Sequence, residues 1–484
     1  MTGPASRPAY LFALTASATL LLFAVGWLRT GGWYFSLDDP YIHLAFAEQL
    51  ARGHLGASPG ITSVPVSSPI WPALLLPGAL VGAGLPGMFL VVFACQGLVV
   101  WASWKAAESI DAPTFSTALL FVLVGNAIPL TVVGMEHLLH VALAIAAAAA
   151  VIRLDRGPVP WWGLLAVTLM PLVRFEGLGM AGLVALYAAY RGDRRVLGAL
   201  GLGLLGLAGF CAGVYAATGH VLPGSVLSKL SSIPAAWQSP EHPWSLALWL
   251  VVLLGLLPLG GRPDLAAMAS IVAMGHLVFG RASNHDRYVP YALAIGAVWL
   301  WASYHTPSER REPASRMVKT IVVLLLTLVH IPAWVAQPVM ILRTHALHGV
   351  LADLRSAADA PVGTHDIGMA SRGSAMPVVD LLGLSNVPIL NGWLEGDAVP
   401  VMVSEMNRHE AHLAMGVDSF FGVAPPGWVL VATLEPLPGY SEDLVKTLSV
   451  YATSPQRVPW VREVVEGAGI EDRRRIVFEA ESAP

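Results

Sequence analysis

Apolar runs long enough to cross a bilayer recur through the first two-thirds of this chain, and they decide its class before any motif is read. A helix needs about 20 apolar residues to span the hydrocarbon core, where lipid offers no partner to an unpaired backbone N–H or C=O. Such runs lie at 10–27, 87–106, 114–133, 137–153, 160–176, 177–190, 196–217, 244–260, 265–280, 288–304 and 318–336. Hydrophobic residues make up 55% of the 484 and charged residues only 12%, against about 25% in soluble domains. That excludes an ordinary cytosolic enzyme, a disordered chain and a coiled coil. The expectation is a mainly α-helical polytopic membrane protein with about 11 transmembrane helices.

The charge is unevenly spread. Of the 60 Asp, Glu, Lys and Arg residues, 28 fall in the final 147 positions. A boundary near Gln337-Pro338 therefore separates a lipid-embedded region, 1–337, from a region of soluble composition, 338–484. In the latter, Leu342, Leu347, Val350, Leu351 and Leu354 make a helical stripe, while 377–384, 428–433 and 475–479 read as short strands. Together they predict a small α/β domain, with no Gly-rich nucleotide loop. Net charge is −4 with no basic tract, so nothing points to nucleic acid. Cys95 and Cys211 both lie in apolar runs and support neither a disulfide framework nor a Cys metal site.

Loop charge orients the chain. Pro69 to Gly84 is apolar but short, and it holds Pro69, Pro72 and Pro77. If it does not cross, Lys105, Arg153, Arg156, Arg191, Arg194, Arg195, Arg262, Arg310, Arg311, Arg316 and Lys319 all fall on the cytoplasmic side, leaving Arg29, Arg52, Lys229, Arg281 and Arg287 outside. The segment is therefore read as re-entrant or interfacial. The first run is read as an uncleaved signal anchor, the N-terminus as cytoplasmic, 29–86 as a large first external loop, and 338–484 as external too.

That loop contains Ser36-Leu37-Asp38-Asp39-Pro40-Tyr41-Ile42-His43. Asp39 can cap a helix with Pro40 in its first turn. Ile42, Ala45, Phe46, Gln49 and Leu50 fall on one stripe, and Gly53 can end the helix. The spacing predicts an amphipathic helix at the membrane surface with two carboxylates at its entrance. Adjacent carboxylates beside a span are costly. They read as a general base, as a metal-binding pair, or as a helix cap beside one solvated Asp.

Asp38-Asp39-Pro40-Tyr41-Ile42 resembles the Asp-Asp-x-Tyr-Ile pattern in the first external loop of the C-type (GT-C) glycosyltransferases, membrane enzymes that use polyprenyl-phosphate sugars. Thr62-Ser63 and Ser67-Ser68-Pro69-Ile70-Trp71-Pro72 are similar to the element that follows it in that family. The likeness continues through Gly134-Met135-Glu136, Arg174-Phe175-Glu176-Gly177, Leu222-Pro223-Gly224-Ser225 with Lys229, Arg287-Tyr288-Val289-Pro290, His365-Asp366-Ile367-Gly368 and Val379-Asp380-Leu381-Leu382-Gly383-Leu384. Phe175 stands where the family has Pro, and Gly224 where it has Asn. Each motif alone is weak; their order over nearly the whole length gives the resemblance its strength.

The resemblance implies sugar transfer from a polyprenyl phosphate to an acceptor glycan, lipid or protein outside the cytoplasm of a bacterial inner membrane. Asp38 would be the general base, since Asp39 is occupied by capping, and Glu136 a second acidic group. Arg174, Arg287 and Lys229 would hold the donor phosphate, for which a planar guanidinium is well suited. Arg281 ranks below them. His43 and Glu176 would support the site, Glu176 as a structural partner of Arg174. A divalent cation on Asp38, Asp39, Glu136 and His140 is an alternative. Asp366 and Asp380 read first as turn-capping residues, His54 as interfacial, and Trp33, Trp71, Trp161 and Trp162 as interface anchors. A flippase or transporter of a lipid-linked substrate, and a non-catalytic envelope scaffold, are the competing functions.

Overall fold

A computed structural model of the chain describes residues 6–111, 115–232, 243–256, 262–280, 287–304, 326–417, 420, 424–438 and 445–479. Each of the eleven apolar runs overlaps a helix. The membrane region comprises α1 (Ser6–Thr30), α2 (Asp39–Ala51), α3 (Ile70–Leu80), α4 (Gly84–Ser109), α5 (Phe115–Val124), α6 (Ala127–Val133), α7 (His137–Ile152), α8 (Trp161–Val173), α9 (Gly177–Tyr190), α10 (Arg195–Thr218), α11 (Gly224–Ser232), α12 (Pro243–Leu256), α13 (Pro263–Phe279) and α14 (Pro290–Tyr304). Among the described residues, five helices are long and apolar enough to span a membrane, or six if the bent pair α5 and α6 counts as one. Six further apolar helices there, α3, α8, α9 and α12 to α14, are 10–17 residues long. The chain is a multi-pass membrane protein.

At the centre stands α7, in which every residue but Leu143 is buried. Its alanine run, Ala146 to Ala150, lets neighbouring backbones approach. Gly163 of α8 meets it so closely that a Cβ there would overlap the Ala150 methyl. By contrast α10 buries only Val196, Ala199, Gly203, Leu207 and Val214 and leaves Leu202, Leu205 and Tyr215 exposed, as a lipid-facing helix should.

The first loop departs from its expected form. Gly53 does end α2, with φ +80°, but the helix is not amphipathic at an open surface. Pro40 to Ala47 and Gln49 are all buried, because α3 packs on one side and the C-terminal region on the other. At 11 residues α3 rises about 16 Å, half the hydrocarbon thickness.

The compositional boundary at 337/338 falls inside a helix. An apolar helical stretch runs from Leu326 to Ala358, comprising α15 (Ile331–Thr344), a π-turn at His345–Gly349 and α16 (Val350–Ala358). Beyond it lies a six-stranded sheet of β1 (Val362–Thr364), β2 (Val378–Asp380), β3 (Leu413–Val417), β4 (Val429–Pro436), β5 (Leu448–Ala452) and β6 (Arg474–Phe478), in the order β2-β1-β3-β5-β4-β6. The first three pair in parallel and the rest antiparallel. Strand alternation feeds two cores. Val378, Leu413 and Met415 join Leu347, Val350, Leu351 and Leu354 on one face, and Val379 and Ala414 join Met402 and Met406 on the other. Ile42 and Ala45 of α2 belong to the first of these cores, so the α/β region is seated on the first loop.

Candidate active site

The acidic doublet divides into two residues with different partners. Asp38 is buried, and its two carboxylate oxygens accept the backbone N–H groups of Gly368 at 2.7 Å and Met369 at 2.9 Å. Burial pushes its carboxyl above the usual range, against the pull of the nearby His348 ring and those two amides. The neighbouring Asp366 moves the other way. Burial would raise it, but the His365 and His348 rings, at 3.2 and 3.3 Å, outweigh burial and hold it well below the ordinary carboxylate range. The motif His365-Asp366-Ile367-Gly368 thus serves as a dock for Asp38. A Cβ at Gly368 would lie 2.7 Å from the Asp38 carboxyl carbon. Gly368→Ala is expected to destabilise the fold by about 1–3 kcal/mol, measured by unfolding in detergent, because a buried carboxylate loses its donors.

Asp39 does not cap. The helix begins at Asp39 itself, with Asp38 at the capping position and no side-chain cap bond. Instead the Asp39 carboxylate forms an ion pair with Arg287, and its side chain keeps 29% of its exposure. The capping expected of Asp39 is therefore absent: the more exposed Asp39 faces a cation, while Asp38 is held by the α/β region.

Glu136, at the start of α7, is fully buried. Arg174 Nη1 donates to it at 2.7 Å, His43 Nε2 stands 3.6 Å away, and the Ser67 hydroxyl is at 3.4 Å. Arg174 stands in the break between α8 and α9, where Gly177 restarts the helix. The other edge of its guanidinium grips Glu176 through Nε at 3.2 Å and Nη2 at 2.9 Å. Tyr288 joins the two halves, for the Arg174 and Arg287 guanidinium carbons lie 5.0 and 5.1 Å from its ring centre. Residues about 250 positions apart in sequence, Asp39 and Arg287, thus meet beside Glu136, Arg174 and Glu176.

Other sequence candidates are placed differently. His140 packs on the Tyr291 ring at 4.3 Å inside the helix bundle. Lys229 lies on α11 with its side chain outside the described residues, as are Arg281, Arg310, Arg311, Arg316 and Lys319. Asp380 caps a turn, accepting from the backbone of Leu382, Gly383 and Ser385. Ser385 in turn bonds Ser63 of the first loop at 2.9 Å. Gly224, in place of the family's Asn, packs so tightly on this turn that a Cβ would lie 2.5 Å from the Leu384 carbonyl oxygen. Asp38, Asp39, Glu136 and His140 do not make a cation cage. The three carboxylates are committed to amides or arginines, and among the described residues no His, Cys, Asp or Glu group of three has metal-site geometry. Sequence reading passed over Tyr288 as a link between the arginines, and it passed over Ser67 and His348. Tyr288 and Ser67 stand inside motifs already noted; His348 carried no signal.

A cavity of about 470 Å³ opens between α9, α13 and α14. Its walls are largely apolar, including Leu183, Ile271 and Phe279, and its polar lining is Glu176, His276 and Tyr291. The His276 ring and the Tyr291 hydroxyl are 2.7 Å apart. Glu176 places the cavity against the Arg174 network.

No family model and no curated protein sequence matches the chain. Several solved structures match nearly its whole length. ArnT from Cupriavidus metallidurans in the apo state aligns with a TM-score of 0.53 at 12% identity, covering 94% of this chain and 99% of that one. The Archaeoglobus fulgidus oligosaccharyltransferase in the apo form aligns with a TM-score of 0.50 at 11% identity, covering 93% and 75%. The chain shares the fold of these two proteins. At these identities the likeness is one of architecture.

Proposed function

We propose that the chain transfers a sugar from a polyprenyl-phosphate donor to an acceptor hydroxyl at the outer face of a bacterial inner membrane. The observation that carries this reading is the convergence of Asp39, Arg287, Glu136 and Arg174 around Tyr288. Sugar transfer needs a base for the acceptor's proton and a cation for the departing phosphate. Asp39 and Arg287 supply both, with Asp39 taking the base role in place of Asp38. Asp38 instead fixes the entrance of α2 by holding the Gly368 and Met369 amides. Glu136 and Glu176 hold the Arg174 guanidinium from two sides, so Arg174 acts mainly by fixing Tyr288 and its neighbours. The cavity beside Glu176, open between α9 and α13, suits the donor's isoprenoid tail, which would enter laterally from lipid.

The acceptor oxygen attacks the anomeric carbon as Asp39 takes its proton. The bond from that carbon to the phosphate oxygen breaks, and polyprenyl phosphate departs with its charge held at Arg287. Direct displacement inverts the anomeric centre. Mass spectrometry of envelope glycans and lipid-linked sugars tests this in a strain lacking the chain. A sugar should vanish from an envelope acceptor, its lipid-linked donor should accumulate, and wild-type protein should restore both. Unchanged glycans and donor pools would overturn the assignment.

A further inference from the structure

We propose that the donor phosphate itself frees the base: Arg287 holds Asp39 until phosphate takes Arg287 away. The inference rests on the sugar-transfer reading above and adds an order of events to it. In the described site, Arg174 is committed on both edges, with Nη1 on Glu136 and Nε and Nη2 on Glu176, and its side chain is only 7% exposed. Arg287 is different. Among the described residues it has one carboxylate partner, Asp39, which is the more exposed member of the pair at 29% against 12%. Its remaining neighbours are weak or distant acceptors, the Met135 sulfur at 3.3 Å and the Tyr288 hydroxyl at 3.3 Å. Its Nε–H is buried without a hydrogen-bond partner. One N–H of the guanidinium is therefore unsatisfied, and a buried unsatisfied donor is costly.

A phosphate presents several charged oxygens in the geometry a guanidinium fork accepts. It can take the unused Nε–H, replace the weak Tyr288 contact and displace the carboxylate. Asp39 then loses the cation that stabilised its ionised form, and its proton affinity rises. The base becomes stronger once the leaving group is seated, and a site without donor keeps its carboxylate neutralised. Arg287 serves in turn as lock on the base and as ligand to the phosphate.

Binding linkage makes this testable without turnover, because Asp39 and phosphate compete for one cation. The full-length protein in detergent is titrated with a radiolabelled long-chain polyprenyl phosphate, with the parent polyprenol as control. Asp39→Asn, nearly isosteric, should bind the phosphate more tightly than wild type, on the order of tenfold. Arg287→Gln should bind it more weakly, and Asp39→Asn should add nothing when Arg287→Gln is already present. If Asp39→Asn binds no tighter while Arg287→Gln still weakens binding, the lock is overturned and sugar transfer stands. If Arg287→Gln binds like wild type, Arg287 is not the phosphate ligand and the lock is overturned as well. If wild type prefers the phosphate no more than the polyprenol, both readings fall.

Discussion

Asp39→Asn is expected to lower kcat by about 10²–10⁴-fold, the usual range for loss of a general base, while the protein folds normally. Asparagine keeps the shape and one acceptor oxygen but cannot take the acceptor's proton. Asp38→Asn should behave differently. Both Asp38 oxygens accept backbone N–H groups from Gly368 and Met369, so an amide nitrogen at one position sets donor against donor. The expected result is a loss of about 1–3 kcal/mol in stability, with a smaller fall in kcat than Asp39→Asn causes. Unfolding in detergent and initial transfer rates, measured on the same preparations, separate the two. A stable Asp38→Asn protein with no turnover, beside an active Asp39→Asn protein, would return the base role to Asp38.

The division between these neighbours shows where sequence reading stops. The apolar runs were legible because lipid leaves the backbone no alternative to local hydrogen bonds, so each helix writes itself in consecutive residues. Gly134 was legible as part of a motif, and the structure supplies its cause. It has φ +77°, and a Cβ there would strike the Phe35 ring. The failures come from partners distant in sequence. Asp39 read as a cap because Pro40 follows it, and nothing local reveals that Arg287 lies opposite. The stripe on α2 read as one buried face because the cover on its other side comes from residues more than 300 positions later, including the Gly373 amide that reaches Glu48 at 3.0 Å. In the α/β region, the segments holding β2, β4 and β6 read as strands, whereas β3, Leu413-Ala414-Met415-Gly416-Val417, carries a single β-branched residue and did not.

The second large effect concerns Arg174. Its exchange for methionine leaves two carboxylates, Glu136 with no exposure and Glu176 at 29%, without their shared cation. Removing one partner of a buried pair costs about 3–5 kcal/mol, because the charge left behind stays desolvated. The double variant Arg174→Met/Glu136→Gln should recover part of that loss, since it removes the stranded charge along with the cation; such recovery is the signature of direct coupling. Were Arg174 chiefly a donor ligand, the single variant would instead keep its stability and lose affinity for polyprenyl phosphate, and the second substitution would recover nothing. The committed geometry of the guanidinium favours the first outcome. It follows that the two arginines on the Tyr288 ring divide their labour: Arg174 is locked between two glutamates and sets the position of the ring, while Arg287, with one carboxylate and one unused N–H, remains able to exchange partners during turnover.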